Sequence, residues 1–283
     1  MGNFTRRQLL QSSVAGLAAS RMPDLTQTAV ARKGRIRQSV SQWCYKMPVE
    51  QLAENAAKMG LQGIDLLQPD QYELPRRYGL ICTMGYAGGG EIKDALNRVE
   101  NHAAIEQAFR TNIPRAAKAG VPNAITFSGN RAGMSDEEGA RNTIAGLNRL
   151  KKIAEDNDVT ICLELLNSKR DHHDYMCDHS AWGVRVVQEV NSPKVKLLYD
   201  IYHMQIMEGD LITTIRTNIQ WIGHFHTGGV PGRHELDNTQ EVQWDGVMRA
   251  IADTGFRGYV AHEFVPAGDP MTSLRNAVDL CDV

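Results

Sequence analysis

The chain has 283 residues, 42% hydrophobic and 23% charged, a balance that excludes intrinsic disorder. Its 31 basic and 33 acidic side chains give a net charge of −2 without a basic block, so no nucleic-acid partner held by charge is expected. Mean hydropathy is −0.37 and no uncharged apolar run reaches the roughly 18 residues of a spanning helix, so no membrane span is expected either.

The first segment reads as an address. Thr5-Arg6-Arg7-Gln8-Leu9-Leu10 is followed by the weakly apolar residues 14–19, the pattern of a twin-arginine export signal, and Ala29-Val30-Ala31 offers a small-x-small cleavage site. Residues 1–31 are therefore expected to be signal and linker, handed to the twin-arginine export machinery, and the protein is expected in the periplasm. Residues 32–283 are expected to form one domain, with the length of a (β/α)8 TIM barrel of about 250 residues. Five cysteines, Cys44, Cys82, Cys162, Cys177 and Cys281, are odd in number and lack CxxC spacing, so neither a disulfide framework nor a thiolate zinc site is expected.

From residue 36 onward, short apolar stretches alternate with longer segments that carry apolar residues at three- and four-residue spacing, the mark of repeated βα units. Strands are expected at 36–44, 63–67, 80–86, 123–128, 160–166, 196–202, 222–227 and 258–265. Helices are expected at 49–59, closed by Gly60, and at 137–155, opened by Ser135 with Glu138 as a capping box. Further helices are expected at 182–190, 211–221, 244–254 and 271–280. Trp43, at the end of the first strand, is a candidate apolar wall. Gly88-Gly89-Gly90 lacks the residues of a phosphate or dinucleotide loop and reads as a flexible lid. The segment from Asp171-His172-His173-Asp174 to His179 has the donors for a second metal, but as loop composition it reads better as a wall of the site.

In a parallel barrel the C-terminal ends of the strands converge on one mouth. Glu164, Asp200, His226 and Glu263 each stand at such an end, and their separations bracket one eighth of a barrel of about 250 residues. They are expected at equivalent heights on four consecutive strands, facing one another. Three buried carboxylates so placed repel unless a cation neutralises them. Three oxygen donors and one imidazole suit one divalent ion, Mn2+, Mg2+ or Co2+. Such an ion stabilises the enediolate left when a proton is taken from the carbon beside a carbonyl, and two carboxylates can act as base and acid on either side. The ligands alone do not choose among isomerisation, epimerisation and elimination. Arg233 offers a fork for a substrate carboxylate, and His203 stands three residues past Asp200.

The stretch Tyr199-Asp200-Ile201-Tyr202-His203-Met204-Gln205-Ile206-Met207-Glu208-Gly209-Asp210, then Val230-Pro231-Gly232-Arg233-His234-Glu235, then Glu263, closely resembles the hydroxypyruvate isomerase family within the xylose isomerase-like TIM barrels. The resemblance is weak from residue 36 and strong from 137 to 265. It implies that Glu164, Asp200, His226 and Glu263 bind the metal, that Glu164 and Glu263 are also catalytic and move the proton, and that His203 and Arg233 bind the substrate. It implies an isomerase converting hydroxypyruvate to 2-hydroxy-3-oxopropanoate. One departure is the third ligand: hydroxypyruvate isomerases often carry Gln there, whereas ketose epimerases of the superfamily carry His, as at His226. A sugar or keto-sugar epimerase or lyase is thus the alternative, and a periplasmic carbohydrate-binding barrel the alternative outside enzymes.

Overall fold

Eight stretches rich in Val, Ile, Leu, Tyr and Phe lie side by side and parallel in a computed structural model that describes residues 32–283. The twin-arginine pattern at Arg6 and Arg7 lies outside the described residues. The strands are β1 (Arg37–Ser41), β2 (Gly63–Leu67), β3 (Ile81–Tyr86), β4 (Asn123–Thr126), β5 (Thr160–Leu165), β6 (Val195–Asp200), β7 (Ile222–Thr227) and β8 (Tyr259–His262). They follow one another in chain order, and β8 pairs with β1 in register Arg37↔Tyr259, closing the barrel. The all-buried strand Gly63–Leu67 shows why the runs are nearly continuous in apolar residues: a barrel strand is covered on both faces.

The helices are α1 (Val49–Lys58), α2 (His102–Lys118), α3 (Asp136–Asn157), α4 (Ser180–Val190), α5 (Ile201–Met207), α6 (Leu211–Asn218), α7 (Trp244–Asp253) and α8 (Pro270–Leu280). The start of α3 is set by Ser135, whose side chain accepts the Glu138 N–H at 3.2 Å, and by Asp136, Glu137 and Glu138 in the first turn, favourable to the helix dipole. Among the described residues no helix is long and apolar enough to cross a membrane. All five cysteines are free and buried.

Three expectations need correction. The first strand stops at Ser41, and Gln42–Cys44 form a 3-10 turn that carries Trp43 out of the sheet, 47% exposed. The sixth strand stops at Asp200 rather than Tyr202, because Asp200 caps a helix that begins at Ile201. No helix is expected between the third and fourth strands, yet α2 runs there for 17 residues and buries Ile105, Phe109, Ile113 and Ala116. Pro114 inside it reads as a breaker, while the apolar stripe at three- and four-residue spacing is what the core rewards. Between β2 and β3 the chain forms the 3-10 turn Leu74–Tyr78.

Candidate metal centre

The four strand-end residues meet. Glu164 on β5, Asp200 at the end of β6, His226 on β7 and Glu263 just past β8 each offer a ligand atom within 4.8 Å of the others, and all four are buried. Strand pairing brings them together: Asp200 lies opposite His226, Glu164 lies opposite Leu198, and the Glu263 N–H donates to the Thr227 carbonyl at 3.0 Å. Asp200 has a second task, since its Oδ1 accepts the His203 N–H at 3.1 Å. That cap turns the chain from strand to helix and brings His203, fully buried, to the same rim.

Arg233 lies inside this cluster. Its Nη2 donates to Asp200 Oδ2 at 2.9 Å and to Glu263 Oε2, and its Nε donates to the Glu263 carbonyl at 3.2 Å. The guanidinium carbon stands 5.0 Å from the centre of the Tyr202 ring and 5.5 Å from that of Trp43, so two aromatic faces hold it. Its Nη1 donates to His203 Nε2 at 2.8 Å, and the Asn167 amide lies 2.6 Å from His203 Nδ1. Burial, and then the Arg233 charge, hold His203 well below the usual histidine range, so the ring is neutral. Trp43 Nε1–H donates to Glu263 Oε1 at 2.5 Å, which makes the exposed indole a partner of the cluster as well as a wall.

The carboxylates are driven apart electrostatically. Burial pushes Glu164 up, and it pushes Asp200 up to about 7 against the pull of Arg233. Glu263 also meets a burial penalty, but Arg233 and His226 outweigh it and hold Glu263 well below the usual carboxylate range. His226 is pushed well above its ordinary value: burial opposes this, and Glu263 and then Asp65 overcome it.

Asp65 is the residue that sequence reasoning missed. It lies on β2, across the barrel, and its Oδ2 accepts from His226 Nε2 at 2.8 Å. The signal was present as a lone carboxylate in the apolar run Gly63–Leu67. On the other side of the ring, His226 Nδ1 stands 2.7 Å from Glu263 Oε2 and 3.5 Å from Glu164 Oε1, yet it is aligned for no hydrogen bond. A buried ring nitrogen without a hydrogen-bond partner, facing three carboxylates, is the donor set of a divalent cation, and the residues fit one.

Beside the cluster, at the ends of β2, β3 and β4, lies a cavity of about 360 Å³ lined by Gln68, Tyr86, Gly89, Glu91, Ile125 and Phe127. Burial first, and then the charges of Glu263 and Glu164, raise the Tyr86 hydroxyl. The glycine segment is packed rather than loose. Thr126 Oγ1 donates to the Gly89 carbonyl at 2.7 Å, and a Cβ on Gly89 would stand 2.4 Å from the Ile125 carbonyl oxygen.

The histidine-rich loop after β5 forms a wall. Asp171 Oδ2 accepts from Tyr202 and Asn167, each at 2.7 Å, and the His172 ring centre is 5.3 Å from that of His203. Asp178 is tied to Arg131 Nη2 at 3.1 Å and to Ser168 Oγ at 2.6 Å. Among the described residues the loop holds no group of three donors close enough to share an ion.

The sequence pattern of the xylose isomerase-like TIM barrel family matches residues 45–281. A hydroxypyruvate isomerase of Escherichia coli (strain K12) is 24% identical over 236 residues, covering 78% of this chain and 90% of that protein. A D-psicose 3-epimerase of Ruminiclostridium cellulolyticum is 33% identical over 136 residues, covering 46% of this chain and 43% of that protein. The solved structure of 3-keto-D-glucoside 4-epimerase from E. coli superposes with a TM-score of 0.74 at 18% identity, covering 87% of this chain and 98% of that one, a likeness of fold. With its closed parallel barrel and a match that spans nearly all of the described residues, this chain belongs to the xylose isomerase-like TIM barrel family.

Proposed function

We propose that the protein is a metal-dependent isomerase of a small hydroxy-carbonyl substrate, working by enediolate proton transfer, with hydroxypyruvate to 2-hydroxy-3-oxopropanoate as the first reaction to test. The observation that carries this reading is the meeting of Glu164, Asp200, Glu263 and the unpartnered His226 Nδ1 at the barrel mouth. A divalent cation held by these four residues supplies neutralisation of the charge that builds on the substrate oxygens. The residues themselves do the rest. Glu164 and Glu263 are the two carboxylates that take the proton from the carbon beside the carbonyl and return it. His203 and Arg233 orient the substrate from the rim. The relatives named as isomerase and epimerase support an enzyme of this class.

A second reading, epimerisation of a neutral sugar or keto-sugar, is favoured by Arg233. Three of its N–H bonds are engaged by Asp200 and Glu263, and a fork so engaged is poorly placed for a substrate carboxylate. The deciding experiment is deuterium entry from D2O at the carbon beside the carbonyl, over hydroxypyruvate and a panel of ketoses. Exchange into hydroxypyruvate supports the first reading and exchange into ketoses alone the second. Binding of sugars with neither exchange nor turnover would mean a carbohydrate-binding barrel instead. We also propose export from Arg6 and Arg7; changing both to Lys should keep the protein inside the cell, and a periplasmic double variant would refute it.

A further inference from the structure

Asp65 is a charged residue at a place where the barrel pays for it unless it is used. It is fully buried in a strand whose five residues are all buried, and three donors converge on its carboxylate. Thr83 Oγ1 donates to Oδ1 at 2.5 Å, while His226 Nε2 and His224 Nε2 both reach Oδ2, at 2.8 and 3.2 Å. The backbone around it is irregular. The register of β2 against β3 shifts on both sides of Asp65, and Leu66 has φ 59°, a left-handed conformation that a leucine adopts only when its surroundings enforce it. Such bulges re-aim a side chain, and here the side chain reaches across the barrel to β7. On β7 the register against β6 also shifts just before His224.

The chemical consequence falls on His226. An imidazole whose Nε2–H is held by a carboxylate must present Nδ1 as its lone-pair nitrogen when neutral, and Nδ1 is the atom that faces Glu164 and Glu263. We propose that Asp65 is a positioning residue that fixes His226 as the Nε2–H tautomer and aims Nδ1 at the cation, with Thr83 and His224 holding Asp65 in place. This rests on the reading that the strand-end cluster holds a divalent ion. Asp65, His224 and His226 also offer ligand atoms within 4.8 Å of one another, and a second cation between them is the rival that the test separates.

The test uses Mn2+ alone, by calorimetry, on the full chain, together with proton NMR of the metal-free protein. Asp65→Asn, checked for native circular dichroism, should weaken Mn2+ binding about 10- to 100-fold. Thr83→Val, which removes one of the groups holding Asp65 but leaves its His226 contact, should weaken binding by less than Asp65→Asn does. A slowly exchanging downfield proton on His226 Nε2, assigned by its loss in His226→Gln, should be present in the unaltered protein and absent or shifted in Asp65→Asn. Unchanged Mn2+ affinity in Asp65→Asn overturns the proposal, and so does absence of that resonance from the unaltered protein, a result that does not depend on the variant folding. Two Mn2+ per chain falling to one in Asp65→Asn would overturn it in favour of a second cation site. If the unaltered protein binds no Mn2+ but shows the resonance, the metal reading fails while the role of Asp65 in holding His226 stands.

Discussion

The two halves of the barrel contribute to the mouth in different ways. From β5 to β8, each strand end delivers one ionisable side chain, Glu164, Asp200, His226 or Glu263, into a space less than 5 Å across. From β1 to β4, the contribution is shape: the Gly89 backbone, Ile125, Phe127 and Tyr86 bound a cavity, and Asp65 reaches across to His226 in the other half. The difference teaches that charge placement needs only one residue at the right height per strand, whereas a cavity needs loops and close backbone contacts. The β5–β8 half should therefore govern turnover and the β1–β4 half substrate preference.

Four measurements can break or sharpen that division. The largest effect should come from the charged half: Glu164→Gln or Glu263→Gln should lower turnover about 10²- to 10⁴-fold with native circular dichroism retained. Variants that keep turnover within tenfold would remove these residues from proton transfer. Next, Mn2+ at 100 times its dissociation constant should stabilise the unaltered protein by about 2.7 kcal/mol in a melting experiment, and Asp200→Asn and His226→Ala should lose that gain. An equal gain in both variants would place the ion elsewhere.

Third is the wall between the halves, where Arg131 and Ser168 hold Asp178. Burial opposes its ionisation, but these partners win and its pKa is lowered. A lowered folded value means that the stabilisation is complete above the ordinary carboxylate range and is lost as pH falls through the lowered value. Asp178→Asn should cost about 2 kcal/mol at neutral pH, and the cost should shrink on acidification. A cost that is the same at pH 7 and at pH 2 would discard the ion pair as its source. The smallest effect belongs to the cavity: Tyr86→Phe should raise KM about two- to tenfold with kcat unchanged, as for one neutral hydrogen bond to substrate. A fall in kcat would draw Tyr86 into the chemistry and blur the division.

What could be read from the sequence follows the same split. Strand ends carrying Glu164, Asp200, His226 and Glu263 stand out because an ionisable residue after an apolar run is locally visible, and barrel geometry then fixes their neighbours. Asp65 has the same local signature, but its partner is 161 residues away on a strand that β2 does not pair with, and only a bulge makes the contact possible. Gly88-Gly89-Gly90 looks flexible by composition, yet its space is set by β4 pressing on Gly89, a tertiary fact. β6 ends two residues before the expected Tyr202 because Ile201 and Tyr202, despite their strand propensity, follow the Asp200 cap into a helix.

The position of Trp43 gives the protein an optical consequence. Its indole N–H rests on Glu263, its face lies 5.5 Å from the Arg233 guanidinium, and the ring is 47% exposed. Trp244, by contrast, is buried, and Trp182 Nε1 is bonded to the backbone of Asp136 on the outer helices. Any ion or substrate that moves Glu263 or Arg233 changes the charge beside one fluorophore, so intrinsic emission should report occupancy of the mouth without a label. The signal should vanish in Trp43→Phe while the other indoles continue to report folding.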